Sequence, residues 1–465
     1  TFRSLLLFRR CAPTGDHNMP HPRRLIWFCQ TEHVAKQPEQ LALLRDEIGL
    51  TTIMPESPIC HTSGFRASPE VAARGPFEDW RERGEAWPKV SEGIYPPVSG
   101  VIGGFDDTDL CKVIEAASAA GIEVWGHIGL WSYGGDVYPE HALRTIDGAS
   151  LDTRYSRWGI GLCPSREAIN QWTKDGLVDI AQRYDVDGFC VDHARYPQPA
   201  SVSALAACGC ASCVEEGTTL GFDVAILHQA LRDTVRRVRD IKGSRLQQLA
   251  RDRLSPEQLW AALEISPHVT EWFQMRSALL AKQMQRFREG VQQIDASMVF
   301  GCDIFAPSVS LFGGHDLALW ETATDYITGG SSAGGVVGWA TASTNAAFEW
   351  TRSLAEVTQG AEADWLELTL QVLGVDDLAI PRDIEALDQG RDLPIEELYD
   401  REIARLVADT NDRVPLYPPV SAGGDPERTR RLCRSIADHG GHGAMMTLAP
   451  DRKETLRAIQ EGFGA

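Results

Sequence analysis

Short, strongly apolar runs alternate with segments of helical apolar spacing along nearly the whole chain, and few architectures accept that alternation. The strand-like runs are 25–30 (LIWFCQ), 51–54, 122–128 (IEVWGHI), 186–192 (VDGFCVD), 298–304 (MVFGCDI), 325–328, 414–417 and 443–447. Between them, helical spacing predicts helices over 39–48 and 107–120, each stopped by a glycine (Gly49, Gly121), and from Ser165 as N-cap to about Tyr184. Further helices are predicted over 222–241, 256–263, 269–294, 426–439 and 453–461, with helical segments across 348–408. Such strand–helix repetition builds a parallel sheet, and eight units point to a closed (β/α)8 TIM barrel over an open doubly wound sheet. Residues 19–465 are read as one barrel domain with a helical insertion at about 200–295 and long loops on the rim. Residues 1–18 precede Met19 and are set outside the fold, as a non-native extension or a disordered arm.

Charge and composition narrow the partners. Asp and Glu number 65 against 45 Lys and Arg, a net charge of −20, which opposes nucleic acid or an anionic membrane surface as a partner. Hydrophobic residues at 43% suit a soluble globular protein, and no apolar run approaches the roughly 20 residues of a membrane-spanning helix. Eleven cysteines, an odd count with no convincing secretory signal, argue for a reducing, cytoplasmic setting and for thiol or metal roles. A homo-oligomer is compatible with all of this. Gly329-Gly330-Ser-Ser-Ala-Gly334-Gly335 lacks the Lys-Ser/Thr of a phosphate loop and reads as a plain loop.

Barrel active sites lie at the carboxyl ends of the strands, so the polar residues there are the candidates for chemistry. The run Asp187-Gly-Phe-Cys-Val-Asp192-His193-Ala-Arg195-Tyr196-Pro197 concentrates a carboxylate, an imidazole, a guanidinium and a phenol at one rim position. Asp187 is expected to cap the opposite end of the same strand. Asp303, in an apolar strand, must be paired, hydrogen-bonded or functional. Asp192 and Asp303 are the expected catalytic pair, one protonating a leaving glycosidic oxygen and one acting as nucleophile or base. Glu32, His127, His193, Arg195, Tyr196, Trp131 and Asp152 are expected around the substrate, with Glu32 as reserve carboxylate and Trp158 and Trp339 as further stacking surfaces. If the sugar is acidic, such as a uronic or sialic acid, Arg195 is the residue expected to clamp its carboxylate. Two other readings stand beside this one: a barrel that binds carbohydrate without cleaving it, and metal-dependent hydrolysis at His127 and His193, which no His-x-His or His-Glu-x-x-His spacing supports.

Cys208-Gly-Cys210-Ala-Ser-Cys213 brings three thiols within reach of one metal ion, and Cys163 is the natural fourth donor, with His193 or Cys190 as substitutes. Four thiolates would make a closed, structural zinc site. Reduced thiols without metal are the alternative.

The succession Cys163-Pro-Ser, Asp187-Gly-Phe-Cys-Val-Asp192-His-Ala-Arg195-Tyr-Pro197, Cys208-Gly-Cys210-Ala-Ser-Cys213 and Asp303-Ile-Phe-Ala-Pro307 resembles the barrel family of hypothetical glycoside hydrolases. The cysteine pattern is also similar to that of zinc-bearing β-galactosidases, which implies a barrel and a zinc site. Those galactosidases carry their acid/base Glu two residues after an Asp ending the fourth strand. Here Asp192 is followed by His193 and Ala194, and the seventh strand ends in Tyr417-Pro-Pro with no Glu. The resemblance therefore implies the glycosidase class and a possible structural zinc, with no catalytic cofactor, but not β-galactosidase activity; the long loops at the mouth separately suggest a pocket for chain ends and hence a terminal bond.

Overall fold

The structure is a computed structural model that describes residues 21–55, 65, 67–72, 74–75, 106–131, 135, 138–152, 160–192, 194–197, 202–329 and 338–464. Most of the long loop expected at 55–104, parts of that at 129–161 and residues 330–337 of that at 329–338 lie outside these residues, as do His193, Trp158 and residues 1–18.

Among the described residues nine strands form one parallel sheet: β1 (Arg24–Cys29), β2 (Thr52–Pro55), β3 (Glu123–Gly129), β4 (Gly188–Asp192), β5 (Val299–Ile304), β6 (Tyr326–Gly329), β7 (Leu416–Tyr417), β8 (Pro419–Ala422) and β9 (Gly443–Leu448). Their order is β7-β6-β5-β4-β3-β2-β1-β9-β8. The two ends of that order, β7 and β8, are separated in sequence by Pro418 alone. They are one stave: its first half pairs with β6 and its second half with β9, and Pro418 and Pro419, having no N–H, interrupt the ladder where it changes neighbour. The eight-stave barrel is thus nearly closed, with first-to-last pairing between Arg24 and Gly443.

Helices α1 (Gln40–Ile48), α2 (Thr108–Ala120) and α3 (Glu167–Arg183) fall where the apolar spacing puts them; between β4 and β5 come α4 (Ala211–Thr219), which the spacing does not mark, and the expected α5 (Val224–Arg239), α6 (Pro256–Ala262) and α7 (His268–Gln292). After β6 come α8 (Gly338–Thr358), α9 (Glu362–Val372) and α10 (Ile395–Asp409), and α11 (Pro426–His439) and α12 (Lys453–Gly462) complete the ring. Gly49 and Gly121 end α1 and α2 in the left-handed conformation, at φ of 73° and 67°, where a side chain would be strained. Ser165 does not cap α3. The cap position is Arg166, without a side-chain bond, and the Ser165 hydroxyl is buried without a partner.

The barrel interior is layered. At its base Arg24 Nη1 donates to Glu123 Oε2 at 2.5 Å, and Trp125 Nε1 donates to the same oxygen at 3.1 Å. Above this lies an apolar plug of Ile26, Met54, Trp125, Cys190, Tyr326, Tyr417 and Met445, with Trp125 stacked on Tyr326 at 4.4 Å. Asp187 closes the base from outside, accepting from Val124 N–H at 2.8 Å, as its place in the sequence predicts. Most of the apolar core lies in the layer between the staves and the surrounding helices.

Candidate functional site at the carboxyl ends of the strands

Side chains two apart along a strand share a face, so the plug residues identify what faces inward above them. Asp192 follows Cys190 by two, His127 follows Trp125, Thr328 follows Tyr326, Phe28 follows Ile26, and Asp303 shares the face of Val299. The β4–β5 register runs Cys190↔Gly301 and Val191↔Cys302, and Asp192 and Asp303 stand one residue further along. They are therefore neighbours on adjacent parallel strands, about 4.8 Å apart at the backbone, facing the same interior. Asp303 also pairs with Thr328, and Asp192 with Gly129, which extends this level around the mouth.

His127 lies one level lower, opposite Cys190. Its Nε2 is 4.0 Å from Asp192 Oδ2, its ring meets Phe28 edge-on at 4.8 Å, and both His127 and Asp192 are buried. Arg195, in the turn after β4, is buried with its guanidinium 4.5 Å over the Phe305 ring, in the turn after β5. Its Nη1 has no hydrogen-bond partner, and among the described residues no carboxylate forms an ion pair with it. Three groups of the predicted site thus share one end of the barrel interior, Asp192, Asp303 and His127, while Arg195 stands on Phe305 in the turns that follow β4 and β5.

Other predicted residues sit elsewhere. Tyr196 is completely buried beneath Arg276, 4.2 Å from the guanidinium to the ring, so it packs against the helical layer and does not line the mouth. Trp131 is also fully buried, with Nε1 donating to Asn170 Oδ1 at 3.0 Å and its ring 6.0 Å from Phe287; it offers no stacking face. Trp339 likewise faces inward and donates to Ile304 O at 3.3 Å. Glu32 does not end a strand but occupies the first turn of the short helix Thr31–Lys36, where a carboxylate suits the helix dipole. Asp152 is half-buried on a loop, its N–H donating to Ser203 Oγ at 2.9 Å.

One residue that sequence reasoning missed braces this site. Phe305 N–H donates to His315 Nδ1 at 3.2 Å, which leaves the ring proton on Nε2 to donate to Ala194 O at 2.9 Å. His315 is fully buried, and burial pushes its pKa down to about 3, so it is a neutral clasp of fixed tautomer. It ties the turn after Asp192 to the turn after Asp303.

Outside the barrel wall, Cys163, Cys208, Cys210 and Cys213 gather their sulfurs within 4.8 Å of one another. Cys163 Sγ lies 3.5 Å from Cys210 Sγ and 3.4 Å from Cys213 Sγ, and none of the four is in a disulfide. A tetrahedral ion with zinc–sulfur bonds of ~2.3 Å requires sulfur–sulfur edges of about 3.8 Å, so four soft donors at this spacing fit such an ion. Arg144 N–H points at Cys208 Sγ from 3.5 Å, as a backbone donor does toward a metal-bound thiolate. Cys190, the substitute fourth ligand, is instead part of the barrel plug.

No protein-family model matches the chain, and no curated protein matches it. Its fold is similar to that of the PgaB (BpsB) glycoside hydrolase domain from Bordetella bronchiseptica, with 10% sequence identity, coverage of 96% of this chain and 100% of that one, and a TM-score of 0.53. It also aligns with the catalytic domain of β-amylase from Paenibacillus polymyxa at 11% identity over 95% of this chain and 98% of that one, with a TM-score of 0.46.

Proposed function

We propose that this chain is a glycoside hydrolase with Asp192 and Asp303 as its working carboxylates. The observation that carries the proposal is the β4–β5 register, which makes the two aspartates inward-facing neighbours at the end of the barrel where chemistry is hosted. The fold shared with a glycoside hydrolase domain supports the same class.

Carboxyl groups held at the one-strand spacing of their backbones would stand closer to the ~5–5.5 Å of retaining enzymes than to the ~6.5–9.5 Å of inverting ones, so retention is the outcome we propose. In that chemistry Asp303 gives its proton to the leaving glycosidic oxygen as that C–O bond breaks, while an Asp192 oxygen forms a bond to the anomeric carbon. Water, deprotonated by Asp303, then releases the sugar and restores Asp192. His127 Nε2, 4.0 Å from Asp192 Oδ2, is placed to orient the nucleophilic carboxylate. Arg195, buried and with no carboxylate paired to it among the described residues, favours a sugar that brings one, such as a uronic or sialic acid.

The four cysteines are assigned to a structural zinc ion. Four protein sulfurs leave no position for a water, so the ion supplies a cross-link between the turn at Cys163 and the start of the helical insertion.

The test is hydrolysis of a panel of aryl glycosides, uronides and sialosides by the wild type, Asp192→Asn and Asp303→Asn, with folding checked by circular dichroism. A substrate cleaved with retention, and lost by about 10³-fold or more in both folded variants, is the expected outcome. Equal turnover by the variants refutes the assignment. Sugar binding without turnover by the wild type would make the barrel a carbohydrate-binding one.

A further inference from the structure

Arg276, on α7, is fully buried, and its guanidinium is poorly satisfied. Nη1 donates to Leu205 O at 3.3 Å, whereas Nε and Nη2 have no hydrogen-bond partner, and no carboxylate pairs with it among the described residues. Aromatic faces are its neighbours, Tyr196 at 4.2 Å and Phe273 at 5.5 Å. A guanidinium remains charged under ordinary conditions, and a buried charge without compensation is among the costliest things a fold can hold.

The compensation lies across Tyr196. Arg276 and Tyr196 both lie within charge–charge range of Cys208 and Cys213, and Tyr196 within range of Cys163 as well. The carbonyl that Arg276 holds, Leu205 O, begins the turn leading to Cys208, and Trp272 Nε1 donates to the same oxygen at 3.0 Å. The helix that carries Cys213, α4, packs directly on α7: Gly217 faces Met275, where an added Cβ would lie 2.6 Å from the sulfur, and Lys282 and Gln283 both donate to Glu216. Four neutral thiols would offer Arg276 no charge. Four thiolates around a divalent ion carry a formal charge of minus two.

We propose that Arg276 is the buried counter-charge of a divalent metal–tetrathiolate centre formed by Cys163, Cys208, Cys210 and Cys213. The proposal rests on the zinc assignment above and adds a requirement to it: the anionic centre and the cation are tolerated inside the protein only together. A packing role alone predicts that Arg276→Met harms the metal-bound and metal-free proteins alike. The counter-charge role predicts opposite signs, because in the metal-free protein the methionine removes a stranded cation.

The experiment compares wild type, Arg276→Met and Arg276→Lys for zinc content by atomic absorption, for zinc release to a chromogenic chelator, and for melting temperature with zinc bound and after its removal. Bound zinc in the wild type is expected, with release at least about tenfold faster from Arg276→Met and a smaller change in Arg276→Lys. With zinc bound the wild type should melt higher than Arg276→Met, and after zinc removal it should melt lower. Wild-type release rates in Arg276→Met, or the same melting order in both forms, overturn the counter-charge role while leaving the zinc assignment intact. A wild type that takes up no zinc overturns both. Should the methionine variant fail to fold, the lysine variant decides: release within about threefold of wild type supports the role of charge, and release as fast as tenfold assigns Arg276 to packing.

Discussion

Replacing His315 by Phe removes the clasp and keeps a ring of similar size between Trp320 and Phe305. Two backbone groups lose their partners, the partly buried N–H of Phe305 and the buried carbonyl of Ala194. At about 1–3 kcal/mol for each stranded group, the variant should lose roughly 2–6 kcal/mol of stability. Its pH signature is more specific. The folded-state pKa of about 3 lies below the ordinary 6.5, so on acidification the unfolded chain takes up the proton first. The stabilisation from the neutral ring is complete above pH 6.5 and is lost as pH falls toward 3. Between pH 7 and pH 5 this single group should withdraw about 2 kcal/mol from the wild type and nothing from the variant. Urea unfolding of both proteins at the two pH values measures the difference, since every other titrating group is shared. Parallel losses in wild type and His315→Phe would refute the neutral-clasp reasoning.

A Cβ at Gly301 would run into the Tyr326 ring, so Gly301→Ala should push that ring off Trp125 and off its bond to Phe189 O, lowering stability by about 1–3 kcal/mol in denaturant titration. Trp131→Phe should cost about 1–3 kcal/mol by stranding the Asn170 carbonyl oxygen, while the affinity for any sugar ligand, measured by calorimetry, stays unchanged. A large loss of affinity in that variant would return Trp131 to the substrate pocket.

The barrel was legible because its signal is periodic. Apolar runs such as 186–192 and 298–304 sit between amphipathic helices, and the strand ends they imply fall where the structure has Asp192 and Asp303. The cysteine spacing also carried through to one cluster. Residues in aperiodic segments did not. Arg195 and Tyr196 read as one rim group, yet successive residues in a turn diverge, and Tyr196 enters the helical layer while Arg195 lies on Phe305. His315 occupies the linker between two short helices, where no spacing rule marks a histidine whose two nitrogens meet backbone groups 121 and 10 residues away. The split of the last-but-one stave was written in Pro418-Pro419, but only the change of hydrogen-bonding neighbour gives that pair its meaning.

The pairing of Arg24 with Gly443 sets a timetable for synthesis. At roughly 5–20 residues per second, the ribosome needs about 20–80 seconds after making the first stave before its final neighbour exists. During that interval β1 presents an open, strongly apolar edge, Leu25-Ile26-Trp27-Phe28, to whatever it meets. The nascent barrel is therefore an incomplete sheet for most of its translation, and a chaperone that shields this edge should raise the yield of folded protein more than one that acts after release.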